Sequence, residues 1–129
     1  MAVTKHILVV EDDALMRELV SHLLASAGYA VTGAGSGQEA LACLEKETFD
    51  LVTTDNGMPG MSGVEMALAI KARRPALPIV MLSGNPPQNP MPCLELVLHK
   101  PGGILSLMES VRGILEGKPR REPALAVAA

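Results

Sequence analysis

Short apolar runs recur along the chain, and four of them end on a polar residue capable of chemistry. HILVV (6–10) precedes Glu11 and Asp12, FDLVTT (49–54) precedes Asp55, LPIVML (77–82) precedes Ser83, and LELVLH (94–99) precedes Lys100. Runs of this length, rich in Val, Ile and Leu, read as strands buried on both faces of a parallel sheet. The pattern predicts strands over 5–10, 29–34, 50–54, 79–82 and 94–98.

Between the strands the period changes to that of a helix. Leu15, Leu19, Leu23, Leu24 and Ala27 recur on one face and predict a helix over 14–27, with Asp13 placed to cap it and Gly28 to stop it. Ser36-Gly-Gln-Glu39 and Ser62-Gly-Val-Glu65 are capping boxes, opening helices that run to about Glu47 and Arg73. A last amphipathic helix is predicted over 104–116, with Ile104, Leu107, Met108, Val111, Ile114 and Leu115 facing inward. The segment 84–92 (GNPPQNPMP) carries four prolines, which lack amide donors and clash within a helix, so no regular helix is expected there. Strands alternating with helices give an α/β fold, a three-layer sandwich with right-handed crossovers. Residues 1–116 form one domain on this reading, and 117–129 a flexible tail.

In open α/β sheets ligands bind outside the carboxyl ends of the strands. Glu11, Asp12, Asp55, Ser83 and Lys100 would then meet at one edge. Three carboxylates crowded together oppose one another's ionisation unless a cation joins them. Oxygen ligands of this kind suit Mg²⁺. Asp55, at a strand end and entering a Gly/Pro loop, is placed to attack phosphorus, with Lys100 and Ser83 available to phosphate oxygens. Each residue also has a plain reading: Asp13 as a helix cap, Asp55-Asn56-Gly57 as turn chemistry, Ser83-Gly84 as a strand exit, Lys100 as a solvated charge. Their joint occurrence at successive strand ends favours the site.

Composition narrows the function. Net charge is −3 and aromatic residues make up 2% of the 129 residues, so neither phosphate-backbone binding nor base stacking is supported, and the core must be aliphatic. Cys43 and Cys93 lack metal-ligand spacing and read as free thiols in a reducing cytosol. No signal peptide or membrane-length apolar run is evident, which points to a cytoplasmic location. His6 and His22 have no partner at ligand spacing. Met58 and Met61 read as core or as cover for the loop after Asp55.

Taken with their spacing, ILVVEDD (7–13), LVTTDNGMPGMSGVE (51–65), IVMLSG (79–84) and LHKPGG (98–103) resemble the response regulator receiver domain of two-component signalling. That resemblance implies a flavodoxin-like five-stranded parallel sheet of order 2-1-3-4-5. It implies Asp55 as the phosphoacceptor, Glu11 and Asp12 as the acidic pair, and a Mg²⁺ site completed by Asp55 and the Gly57 backbone carbonyl. Ser83 and Lys100 take the switch-hydroxyl and phosphate-pairing positions. The implied partners are a sensor histidine kinase or a histidine phosphotransfer protein, and a downstream protein reached by contact, and the implied activity is the domain's own phosphorylation and dephosphorylation. The expectation of a monomer comes instead from the proline-rich 84–92 segment, which replaces the helix that helps build the family's dimer face.

Two departures stand out. Val97 occupies the position three before the lysine, where the family often carries Tyr or Phe, and the proline-rich segment 84–92 leaves the family's fourth helix absent or reduced. They weakly favour a second reading, a receiver-like binding module that works without phosphate. A third, a small Mg²⁺-dependent phosphohydrolase, is opposed by Gly57, which stands where a second acid two residues after Asp55 would be needed.

Overall fold

A computed structural model describes residues 4–88, 91–100 and 102–116. Its elements are β1 (His6–Val10), α1 (Ala14–Ser26), β2 (Ala30–Ala34), α2 (Gly37–Lys46), β3 (Leu51–Thr54), α3 (Gly63–Arg73), β4 (Ile79–Ser83), β5 (Leu96–His99) and α4 (Gly103–Leu115). All strands are parallel, in the order β2-β1-β3-β4-β5. This is the α/β sandwich and strand order expected, and the described part of the connection between β4 and β5 contains no helix. The proposed tail, 117–129, lies outside the described residues.

Two apolar layers sandwich the sheet. On one face Leu8, Val10, Val52 and Ile79 pack with Leu44 of α2 and Met66 and Ile70 of α3. On the other, Ile7, Val9, Leu51, Val80 and Leu82 pack with Val20 and Leu24 of α1 and Leu107 and Val111 of α4. In place of a helix, Cys93 is buried in the first layer, with Met91 and Leu94 packed against it.

The helix starts follow local chemistry. The Asp13 carboxylate accepts from the Leu15 and Met16 amides at 2.9 and 3.3 Å, and α1 stops before Gly28, whose φ of +99° suits a residue without a Cβ. Ser62 and Glu65 form the complete reciprocal capping box. The Ser36 box is only half made: Ser36 Oγ accepts from the Glu39 amide, but the Glu39 carboxylate reaches the Gly35 amide at 2.6 Å instead of that of Ser36.

The expected inward face of α1 is corrected. Leu24 is buried as expected, but Leu15 is 81% exposed and Leu19 44%, and Val20 is buried in their place, with Met16 packed against the same layer. Two apolar stripes at four-residue spacing lie side by side on this helix, and the docking of α1 on β1 and β2 selects the second. β5 also begins two residues later than expected, because Leu94 closes a turn onto the Met91 carbonyl and Glu95 gives its amide to Ile79.

Candidate phosphoacceptor and metal site

The carboxyl ends of β1 and β3 and the residue after β5 converge on one point. Oxygens of Glu11, Asp12 and Asp55 lie within 4.8 Å of one another. Lys100 Nζ stands 3.2 Å from Glu11 Oε2 and 3.7 Å from Asp55 Oδ2. The Lys100 amide donates to the Ser83 carbonyl at 3.0 Å, which carries β5's exit alongside β4.

Glu11 is 3% exposed. Burial pushes its carboxyl up to about 7; Lys100 opposes that rise, and the Asp55 charge adds to it. A buried carboxylate beside two more acids is a group that gains from a cation. The donor set is all oxygen, which fits a hard ion such as Mg²⁺.

Asp55 is held from several sides. Its amide donates to the Val10 carbonyl, its Oδ1 accepts from the Asn56 amide at 2.7 Å, and its carbonyl accepts from Thr54 Oγ1. The start of α3 presses on this turn: a Cβ on Gly63 would stand 2.1 Å from the Asp55 carbonyl oxygen. Only glycine allows that approach. Asn56 then ties three segments together. Its carbonyl accepts from the Met58 and Gly63 amides, its Oδ1 accepts from the Val64 amide, and its Nδ2 donates to the Asn85 carbonyl at 3.1 Å.

Ser83 is fully buried, and its Oγ accepts from the Asn85 amide at 3.0 Å; a hydroxyl that accepts one bond still has a hydrogen to donate. Gly57 lies exposed in the loop after Asp55, with nothing within 4 Å of where a Cβ would stand. Asp12 is exposed at the rim. Met58 is buried in the α2/α3 layer and Met61 sits against Gly37, so both methionines pack this loop onto the core. From the sequence Asn56 reads only as turn chemistry, and Asn85, like Gly57, only as a position near the site where a side chain could gate water; the fold shows what Asn56 and Asn85 join.

A parallel α/β sheet with acids, a hydroxyl and a lysine at its carboxyl edge is an arrangement able to hold a divalent cation and a phosphoryl group. The chain belongs to the response regulator receiver domain family, whose model matches residues 7–101. It is 39% identical over 80 residues to the transcriptional regulatory protein FixJ of Bradyrhizobium diazoefficiens, covering 62% of this chain and 39% of that protein. The chain thus spans well under half the length of the curated relatives it matches first. The response regulator TrrA of Thermotoga maritima, solved in complex with Mg²⁺–BeF, superposes with a TM-score of 0.80 at 31% identity, covering 86% of this chain and 99% of that one. TrrA in complex with the histidine kinase ThkA gives 0.78 at 31% identity, covering 87% and 99%. Among the described residues no helix is long and apolar enough to cross a membrane.

Proposed function

We propose that this domain accepts a phosphoryl group on Asp55 from a phosphohistidine and passes the signal on by protein contact. The observation that carries this reading is the Lys100 ammonium standing between Glu11 and Asp55 within one carboxylate cluster. An Asp55 carboxylate oxygen attacks phosphorus, the P–N bond to imidazole breaks, and the nitrogen keeps the electron pair and takes up a proton. Glu11, Asp12, Asp55 and the Gly57 carbonyl would hold a Mg²⁺, which when bound would supply positive charge to offset that gathering on the phosphoryl oxygens.

The chain's own residues do the rest. Lys100 is within a short side-chain movement of any oxygen added to Asp55, and among the described residues the Ser83 hydroxyl makes only the bond it accepts from Asn85. Each gives a donor to the acyl phosphate. The same groups support slow hydrolysis by water, so the domain catalyses its own phosphorylation and dephosphorylation. With Val97 at the third position before Lys100, no ring rotates to report the event. The report falls instead to the 84–88 segment, joined to the site through Ser83–Asn85 and Asn56–Asn85.

The donor is a histidine kinase or a histidine phosphotransfer protein, as the kinase complex of TrrA supports. Leu15 and Leu19, exposed on α1, and Leu105, 88% exposed on the first turn of α4, offer such a partner apolar surface on the two elements that follow Asp12 and Lys100. Neither nucleic acid nor membrane is proposed as a partner of this domain, which acts as a cytoplasmic monomer.

The test is intact mass after incubation with a small acyl-phosphate donor, with and without Mg²⁺, beside an Asp55→Asn variant. A single Mg²⁺-dependent phosphate adduct, lost in the variant, is expected. No adduct from either the small donor or a phosphorylated histidine kinase, in a folded protein, would favour the phosphate-independent binding module. Leu15→Asp should slow labelling by the kinase while leaving labelling by the small donor unchanged.

A further inference from the structure

We infer that Arg17 is a positioning residue for the metal site, acting as a strut between β2 and the acidic turn; this rests on the proposed reading that Glu11 and Asp12 hold a divalent cation. Arg17 Nη1 donates to the Glu11 carbonyl at 2.7 Å. That carbonyl belongs to the peptide joining Glu11 to Asp12. On its other side the Glu11 amide donates to the Ala34 carbonyl at 3.0 Å. The Glu11 backbone is therefore gripped from both directions, by β2 through its N–H and by α1 through its C=O.

The path of the arginine is built into β2. A Cβ on Gly33 would stand 3.4 Å from Arg17 Cδ, and one on Gly35 would stand 3.1 Å from Nη1. Glycine within a strand weakens it and marks a place where another group comes close. Here two glycines flanking Ala34 leave a groove, and the Arg17 side chain runs along it to the turn. The Gly35 backbone is fixed in turn by the Glu39 carboxylate on its amide. A guanidinium is suited to this role because it is planar, always charged and rich in donors.

The chemistry explains why the site gains from such a strut. Glu11 is buried and already paired with Lys100, but Asp12 is exposed at the rim. The direction of the Asp12 carboxylate is set by the peptide before it. A cation with strict octahedral demands is sensitive to small errors in ligand direction. Groups behind the ligands of a metal typically change its affinity 10- to 100-fold when removed. A positive charge at the Glu11 carbonyl also adds no ligand and takes none away.

The experiment is Mg²⁺ titration calorimetry on wild type, Arg17→Met, Arg17→Lys and Gly35→Ala, with thermal unfolding of each in the absence of metal. Arg17→Met keeps the stem and removes the donors; it is expected to weaken Mg²⁺ binding about tenfold. Arg17→Lys should recover part of that loss, and Gly35→Ala, whose methyl pushes on Nη1, should weaken binding in the same direction. A purely structural role would lower the unfolding midpoint while the folded protein bound Mg²⁺ as wild type does, and that result overturns the inference. Should Arg17→Met not fold, an unchanged affinity in folded Gly35→Ala overturns it equally. Failure of the wild type itself to bind Mg²⁺, with Asp12→Asn as the matching control, sinks the metal-site reading and not the strut alone.

Discussion

Lys100 lies closer to Glu11 than to Asp55, at 3.2 Å against 3.7 Å, although Asp55 is the residue it serves in the proposed chemistry. The reason is burial. Glu11 is the least hydrated of the three acids, so its charge gains most from an ammonium. In the unphosphorylated domain Lys100 therefore neutralises the acidic pocket and is held ready beside the phosphoacceptor.

That pairing makes the effect of Lys100→Met depend on pH. Without the ammonium, ionised Glu11 is buried and unpaired. Removing one partner of a buried pair costs about 3–5 kcal/mol when the other cannot neutralise itself. Glu11 can take a proton, so the loss should be large near pH 8 and small near pH 5.5. Urea unfolding of both proteins at the two pH values measures it, and an equal loss at both would contradict the pairing.

The raised carboxyl of Glu11 also sets the sign of its own contribution to the metal-free stability curve. Its folded value is about 7 against an ordinary 4.5, so between those values the folded state holds a proton that the unfolded chain has released. Stability from this group is complete below pH 4.5 and declines as pH rises to about 7, with a slope of at most about 1.4 kcal/mol per pH unit. Mg²⁺ favours the ionised form and should flatten the decline. Unfolding midpoints across this range, compared with Glu11→Gln, isolate the contribution; a variant curve parallel to that of wild type would refute it.

Gly63 and Gly57 provide a matched pair of substitutions. Gly63→Ala drives a methyl into the Asp55 carbonyl, so the α3 start or the Asp55 turn must move, at a cost of about 3 kcal/mol or more. Gly57→Ala meets nothing within 4 Å and its φ is not positive, so the change should stay within about 0.5 kcal/mol. Chemical unfolding of the two variants gives the comparison directly, and equal costs would count against the close approach.

Asn56→Ala should loosen the connection after β4. The side chain holds Val64 on one side and Asn85 on the other, so its loss removes two bonds of about 1 kcal/mol each. Exchange of the Gly84, Asn85 and Gln88 amides should quicken while that in β1 and β3 stays slow. Beryllofluoride with Mg²⁺ should change exchange in the same segment of the wild type. Exchange there that ignores both the variant and the phosphate mimic would remove this segment from the signalling route.

The sequence by itself settled the alternation of strands and helices, because apolar runs and helical spacing report burial directly. It also marked Glu11, Asp12, Asp55, Ser83 and Lys100, since each stands at the end of a run, where a parallel sheet presents its ligands. It did not settle which stripe of α1 faces inward. Leu15–Leu19–Leu23 and Met16–Val20–Leu24 have the same period, and only the docked sheet breaks the tie. Nor could it give Lys100 to Glu11, turn Glu39 from Ser36 to Gly35, or run Arg17 over Gly33 in β2 and Gly35 just past its end. Those choices depend on distances between segments far apart in the chain and on how much water each charge loses. Period and spacing carry information along one chain, whereas desolvation and close approach exist only once the strands are side by side.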